Sequence, residues 1–362
     1  MRGDVVLIAG EPAPLFSAPS KVNPEFAFGA VAGRYVLLAF LPPPGAERDA
    51  ALAQIAARLD RFSDDARIVF GVLPDRESYD VASDAPPLRW FLDSEGEIAR
   101  AYGMVDADGA LQPGWMVIDP SLRLMGRATL AQGPQVIERL LALAPPDQHA
   151  GVALHAPVMI TPRIFEPAIC EALIDTYRRA GGEVSGVMRA KGGRTYGVVD
   201  DFKRRSDVTL PEGPLKEHVR LRLRRRLLPE IAKAFSFTVT RVERWTIACY
   251  SAETGGYFRA HRDNGTPGTA HRKFACSINL NDDFEGGDLV FPEYGWRRYR
   301  PPPGGAVVFG CGLLHEVFPV TRGERFAYLP FFYDDAGAEL RAANIGTFAE
   351  AEATALAETE FE

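Results

Sequence analysis

"GGYFRAHRDNGTPGTAHRKFACSINLNDDFEGGDLVF", Gly255 to Phe291, holds two of the chain's six histidines between glycine- and asparagine-rich turns. His261 and Asp263 stand two residues apart, and His271 follows in the same stretch. Side chains at i and i+2 of a strand leave from one face, so this imidazole and this carboxylate can share a ligand. A His-x-Asp alone is weak, because most such pairs are polar turns or surface hydrogen bonds. A metal centre needs a third protein donor from elsewhere in the fold.

Three histidines are in contention. His218 sits in an arginine-rich helical stretch. His271 lies beyond the loop "NGTPGTA", where a supporting or plain loop role is expected. His315 ends "GGAVVFGCGLLH", which reads as a buried strand delivering its last residue to a strand end. The sequence after it favours His315: "VTRG" (320–323) reads as a turn that folds Arg325 back across from His315. Two imidazoles and one carboxylate on one face of a metal leave positions open, the arrangement that suits non-haem Fe(II) with O₂. A guanidinium is no metal ligand. It suits a carboxylate co-substrate, which it can grip bidentately.

Working outward, short apolar runs follow one another from "TVTRVERWTIACYS" to "GERFAYLPFFYDD", each punctuated by Gly, Pro or Asp, as in a sandwich or barrel. Upstream, "FEPAICEALIDTYRRAGG" (165–182) reads as a helix closed by glycines. Residues 185–210 read as a polar loop, and 214–235 as a helix or helix pair. "RLRLRRRLL" is read as a solvated helix face in preference to an anion-reading patch. "DDFKRRSD" (200–207) is either a flap over substrate or a plain surface loop.

The segments "ACYSAETGGYFRAHRDN", "SINLNDDFEGGDLVF" and "GGAVVFGCGLLHEVFPVTRGERFAYLPFFYDD" resemble, in order and spacing, the Fe(II)/2-oxoglutarate dioxygenases of the prolyl 4-hydroxylase type. The resemblance covers roughly residues 165–335 and implies a double-stranded β-helix, a jelly roll with supporting helices. It implies His261, Asp263 and His315 as iron ligands and Arg325 as the grip on the far carboxylate of 2-oxoglutarate. Tyr250 takes the place of a tyrosine that often helps bind this co-substrate. Asn279 stands where some relatives carry another co-substrate-contacting residue, often tyrosine. The implied cofactors are Fe(II), 2-oxoglutarate and O₂, with ascorbate in support, and the implied reaction is hydroxylation of an unactivated C–H. The substrate is a prolyl residue of a protein or a small molecule. Specificity is expected in residues 185–210 and around Tyr257, Arg259 and Trp296. A non-catalytic binding or sensing protein on the same barrel is the alternative, and a zinc or manganese enzyme without a keto acid is a third reading.

The first half alternates differently. "RYVLLAFL" (34–41) is a continuous apolar run, "AERDAALAQIAARLDRF" (46–62) has a helical period, and "ARIVFGVL" (66–73) is a second strand. "GWMVIDPSLRLMGRA" (114–128) reads as two strands about an Asp-Pro turn, and "PQVIERLLAL" as a closing helix. This order is thioredoxin-like α/β. With "GEPAPLFSAPSKVNPEF", "GRYVLLAFLP" and "RWFLDSEGEIARAYG", residues 3–143 resemble a peroxiredoxin or redoxin domain. Such enzymes carry a nucleophilic cysteine at the start of the helix after the first strand, where the helix N-terminus lowers its pKa. Here the stretch reads "PPPGAERDAALAQI", and no cysteine precedes Cys170. Thiol peroxidase chemistry is therefore excluded from this half. A scaffold, dimerisation or substrate-presenting module is expected instead, with a homodimer formed through it.

The seam "LALAPPDQHAGVALHAPVM" (141–159) puts the boundary near residue 150, giving domains 1–150 and 151–362. A chain of 362 residues is long enough for two cores. The net charge of −7 offers no polycation for nucleic acid or an acidic membrane surface. Its acidic excess lies in residues 1–150, with 13 Lys+Arg against 20 Asp+Glu. No apolar run is long enough for a membrane span. Four scattered cysteines without CxxC spacing read as reduced, buried thiols of a cytoplasmic protein, Cys249, Cys276 and Cys311 being packing residues. "FAEAEATALAETEFE" (348–362) reads as an acidic helix or tail.

Overall fold

A computed structural model describes residues 7–21, 23–348 and 358–360. The chain divides into two compact units. One runs to His155 and takes in Pro292–Trp296. The other holds Ala156–Phe291 and the chain from Arg297 onward.

The first unit is a five-stranded sheet in the order Leu88–Leu92, Arg67–Leu73, Tyr35–Phe40, Gly114–Ile118, Leu124–Thr129. The first three strands are parallel and the last two antiparallel. Every residue of Tyr35–Phe40 is buried, as a central strand covered on both faces requires. Helix Ala46–Ala56 begins directly after Gly45, at the place where a peroxidatic thiol would sit. Its first turn presents Ala46, Glu47, Arg48 and Asp49 instead.

The second unit is the jelly roll. Its large sheet runs Val158–Thr161, Ala306–Gly310, Phe274–Asn279, Glu324–Tyr328, Thr246–Ser251, Ser206–Thr209, antiparallel throughout. The small sheet runs Lys203–Arg204, Tyr257–His261, His315–Val317, Leu289–Val290, Arg298–Tyr299. Helices Pro167–Ala180 and Pro214–Arg222 contribute Leu173 and Val219 to the core formed with Ile247, Ile278, Val308 and Phe332. Ile278 is fully buried in the strand that ends at Asn279. Ile278→Ala is expected to cost about 2–5 kcal/mol of stability, read as a lower urea midpoint at unchanged m-value.

Residues 185–210 are not a loop. Val187–Lys191 and Arg194–Val198 form a hairpin turned by Gly192 and Gly193, both at positive φ, and Ser206–Thr209 joins the large sheet. Their polar side chains hide the apolar alternation by which a strand is usually recognised. The 214–235 helix carries a π-helical turn, Leu223–Leu227. Pro229 has no N–H for the carbonyl four residues back, which accounts for the wider turn. Arg222 and Arg226 reach from it to Glu166, just before helix Pro167–Ala180, so part of the arginine run is structural. Arg226 above all pulls the Glu166 carboxyl down to about 2.

Of the acidic stretch 348–362, only Phe348, which is buried, and the backbone of strand Glu358–Glu360, paired with Arg241–Glu243, fall within the described residues. The four cysteines are free and buried. Burial pushes the Cys170 thiol to about 11 and Cys249 to about 12, and raises Cys276 and Cys311 further. All four are packing groups. Among the described residues no helix is long and apolar enough to cross a membrane.

Candidate metal and co-substrate site

His261 ends one strand of the small sheet, and His315 begins the strand paired to it, the two residues lying directly across from one another. Opposed residues of an antiparallel pair project from one face, and the ring centroids are 4.2 Å apart. The buried strand before His315 stops at Gly310, a turn intervenes, and His315 opens a new strand in the other sheet. Asp263 lies just past the end of its strand, its N–H donating to the Cys311 carbonyl at 3.0 Å. Its carboxylate oxygens stand 3.5 Å from His261 Nε2 and 3.3 Å from His315 Nε2. Among the described residues this is the one group of His, Cys, Asp and Glu side chains arranged to share a metal ion, with a donor atom from each within 4.8 Å.

The backbone sets which nitrogens face the centre. His261 Nδ1 donates to the Arg259 carbonyl at 2.7 Å, and His315 Nδ1 to the Leu313 carbonyl at 3.0 Å. A carbonyl only accepts, so Nδ1 of each ring carries a proton and Nε2 is the nitrogen turned toward Asp263. His315 is wedged against Phe309, with ring centroids 4.6 Å apart, and His261 stacks on Phe258 at 3.5 Å. Burial above all lowers His315 to about 4, so it is neutral near pH 7. Burial alone would raise Asp263, but in acid the protonated imidazole of His315 outweighs it and holds the carboxyl below the usual range. Two imidazole lone pairs and one carboxylate fit a divalent metal, and this donor set is that of the non-haem Fe(II) facial triad.

Arg325 does not lie across from His315. Strand Val320–Arg322 pairs with Glu285–Gly286, and Arg325 follows in the large sheet directly opposite Tyr250. The turn was legible, but not the change of sheet behind it. Arg325 is 3 % exposed. Its Nε and Nη2 donate to Asn279 Oδ1 at 3.1 and 3.0 Å, and Nη2 also to Ser277 Oγ at 2.8 Å. Nη1 is buried with no partner among the described residues. Burial works against its charge and lowers its pKa. No carboxylate among the described residues comes within ion-pair distance. A buried guanidinium with a free N–H fits a carboxylate ligand.

Tyr250 lies between two guanidiniums, Arg325 at 5.4 Å and Arg205 at 5.7 Å from its ring centre. Arg205 Nη1 donates to its hydroxyl at 3.3 Å, leaving the hydroxyl proton for another acceptor. Asn279 has its oxygen on Arg325 and donates its amide to the Pro301 carbonyl at 2.9 Å, so it holds the guanidinium. His271 is fully buried on Glu243, away from the cluster. His218 stays on its helix. Trp296 belongs with the first unit.

Sequence reading missed Ser277, two residues before Asn279 on the same strand face. It also missed Arg205 and Asp207, joined by 2.7 and 2.6 Å bonds. The alternation Lys203, Arg205, Asp207 around exposed Arg204 was the available signal.

Residues 245–333 match the 2OG-Fe(II) oxygenase superfamily, and residues 9–125 the AhpC/TSA family. A PKHD-type hydroxylase of Pseudomonas fluorescens is 32% identical over 135 residues, covering 34% of this chain and 59% of that protein. One of Polaromonas is 45% identical over 56 residues, covering 15% of this chain and 25% of that protein. The chain thus spans less than two thirds of these relatives' length, 59% of one and 25% of the other. Among solved structures, a Pseudomonas putida prolyl-4-hydroxylase aligns at a TM-score of 0.40 with 19% identity, over 52% of this chain and 95% of that one. Mycobacterium bovis AhpC aligns at 0.31 with 16% identity, over 38% and 99%. The chain is a fusion of an AhpC/TSA-family segment in its first half and a 2OG-Fe(II) oxygenase superfamily segment in its second.

Proposed function

We propose that the second unit is an Fe(II)- and 2-oxoglutarate-dependent dioxygenase that hydroxylates an unactivated C–H, with a prolyl residue of a protein as its target. The observation that carries this reading is the pairing of two features: three converging donors, His261, Asp263 and His315, and a buried Arg325 that has no carboxylate partner among the described residues. The superfamily match at residues 245–333 supports the same cofactors. Prolyl specificity rests on the relatives' printed names alone, which call them hydroxylases and, in one structure, a prolyl-4-hydroxylase.

In this reading His261, Asp263 and His315 hold the iron, which supplies O₂ activation coupled to oxidative decarboxylation of the keto acid to succinate and CO₂. Arg325, braced by Asn279 and Ser277, takes the far carboxylate of 2-oxoglutarate, and Tyr250 donates its free hydroxyl proton beside it. Phe258, Phe291 and Phe309 pack the histidine side of the centre and keep it dry. Ascorbate would serve only to keep the iron ferrous between turnovers. The first unit, with no thiol to react, is a scaffold, and a homodimer formed through it fits this role.

The test is succinate release by the full chain with Fe²⁺, 2-oxoglutarate and O₂, against prolyl peptides and free amino acids. Iron-dependent succinate that rises with a prolyl peptide is expected. A chain that binds metal yet forms no succinate with any substrate would favour a binding or sensing protein on the same barrel.

A further inference from the structure

A second set of buried charges lies behind the three donors, and the reading above leaves it without a task. Glu243 is completely buried at the end of strand Arg241–Glu243. One carboxylate oxygen is 2.5 Å from His271 Nε2, and the other accepts from Arg272 Nη2 at 2.5 Å. Arg272 is 3 % exposed, its guanidinium 4.1 Å from the centre of the Phe331 ring. Its Nη1 donates to the backbone carbonyl of Asp263 at 3.4 Å.

Asp263 is therefore held at both backbone groups. Its N–H donates to Cys311, and its carbonyl accepts from a guanidinium anchored on a buried carboxylate. The chain between Asp263 and His271 is braced as well. Thr266 and Thr269 bond one another at 2.9 Å, and the Gly268 N–H donates to Thr195 Oγ1 at 2.9 Å. Asp263 stands beyond the last paired residue of its strand, so the sheet ladder does not fix it. An apolar pair of the same volume in place of Glu243 and Arg272 would hold the fold as well as a buried ion pair does. It would donate nothing to Asp263.

We propose that Arg272, anchored by Glu243 and His271, is a positioning residue that fixes Asp263 for the metal. Part of the site's metal affinity then resides in a network that touches none of the three donor atoms. This rests on the metal-centre reading above.

The experiment is a titration of the metal-free full chain with Co²⁺ alone, followed by calorimetry and visible absorption, with melting recorded separately. Arg272→Met is expected to weaken Co²⁺ binding by about tenfold or more, the range seen when outer partners of metal ligands are removed, and to change the Co²⁺ spectrum. Should Arg272→Met alone fail to fold, the double variant Glu243→Gln/Arg272→Met decides. It removes both charges of the Glu243–Arg272 pair and keeps an oxygen for His271 and for Arg244, which lies 3.8 Å from Glu243, and when folded it is expected to show the same weakening. A folded variant with wild-type Co²⁺ affinity and spectrum overturns the proposal and leaves the metal centre standing. A wild-type chain that takes up no Co²⁺ overturns both.

Discussion

Asp263→Ala is expected to leave the metal-free chain folded and to remove its stabilisation by metal. In the metal-free chain two Nε2 lone pairs and a carboxylate converge within 4.8 Å. Each ring's other nitrogen is committed to a backbone carbonyl, which prevents the rings from relieving the crowding by exchanging tautomers. Once both nitrogens are deprotonated their lone pairs face an anion and repel it until a metal cation lies between them, so the wild-type chain should bind metal and be stabilised by it. At a free concentration of about 100 times Kd the gain is about 2.7 kcal/mol, a rise in Tm of about 5–10 °C for a unit of this size. Removing the carboxylate takes away the anionic donor and leaves two neutral ones. The loss in affinity should exceed about 100-fold, since losing a mere outer partner already costs 10–100-fold. Calorimetry with and without Fe²⁺ under anaerobic conditions reads this directly, and succinate formation should vanish with the shift. A variant that kept the metal-dependent rise would remove Asp263 from the ligand set.

How much of this was legible varies from residue to residue. The His-x-Asp pair could be read because strand periodicity is local, and His315 because its turn and Arg325 follow it closely in the chain. The strand Tyr35–Phe40 announced itself because a strand covered on both faces has no polar alternation to obscure it. Partnership across the fold was not legible. Arg325 was expected opposite His315, yet its neighbour is Tyr250, 75 residues upstream, because strand Val320–Arg322 pairs with Glu285–Gly286 before the chain enters the large sheet. Residues 187–198 looked like a loop because their exposed hairpin carries arginines, although "KGGR" at its tip is a recognisable tight-turn signal. His271 drew attention by its proximity to Asp263 in sequence. Its partner Glu243 comes from a strand 28 residues earlier, and nothing local marks that carboxylate as buried.

Arg325→Met should separate co-substrate binding from folding, because the two effects differ greatly in size. In the fold the guanidinium is a liability: it is buried and, among the described residues, has no carboxylate and leaves Nη1 without a partner. Replacing it with an apolar chain of similar length removes that desolvation cost. It also strips Asn279 Oδ1 of two donors, and an unsatisfied buried acceptor costs about 1–3 kcal/mol. The two contributions oppose each other, and the stability of the ligand-free chain should change by no more than about 1 kcal/mol. Binding of 2-oxoglutarate has no such compensation, since the incoming carboxylate would meet Ser277, Asn279 and Tyr250 without the Arg325 guanidinium, and Arg205 is already paired with Asp207. Losing one partner of a buried charge pair costs about 2–5 kcal/mol, a rise in KM for 2-oxoglutarate of about 30- to 5,000-fold, while Co²⁺ affinity stays at the wild-type value. Arg325→Lys keeps the charge but not the planar fork that gives two N–H groups to Asn279 Oδ1 and leaves a third free. It should recover only part of the loss. A metal-replete Arg325→Met chain that consumed 2-oxoglutarate at the wild-type KM would show that the guanidinium serves the barrel's interior and takes no co-substrate.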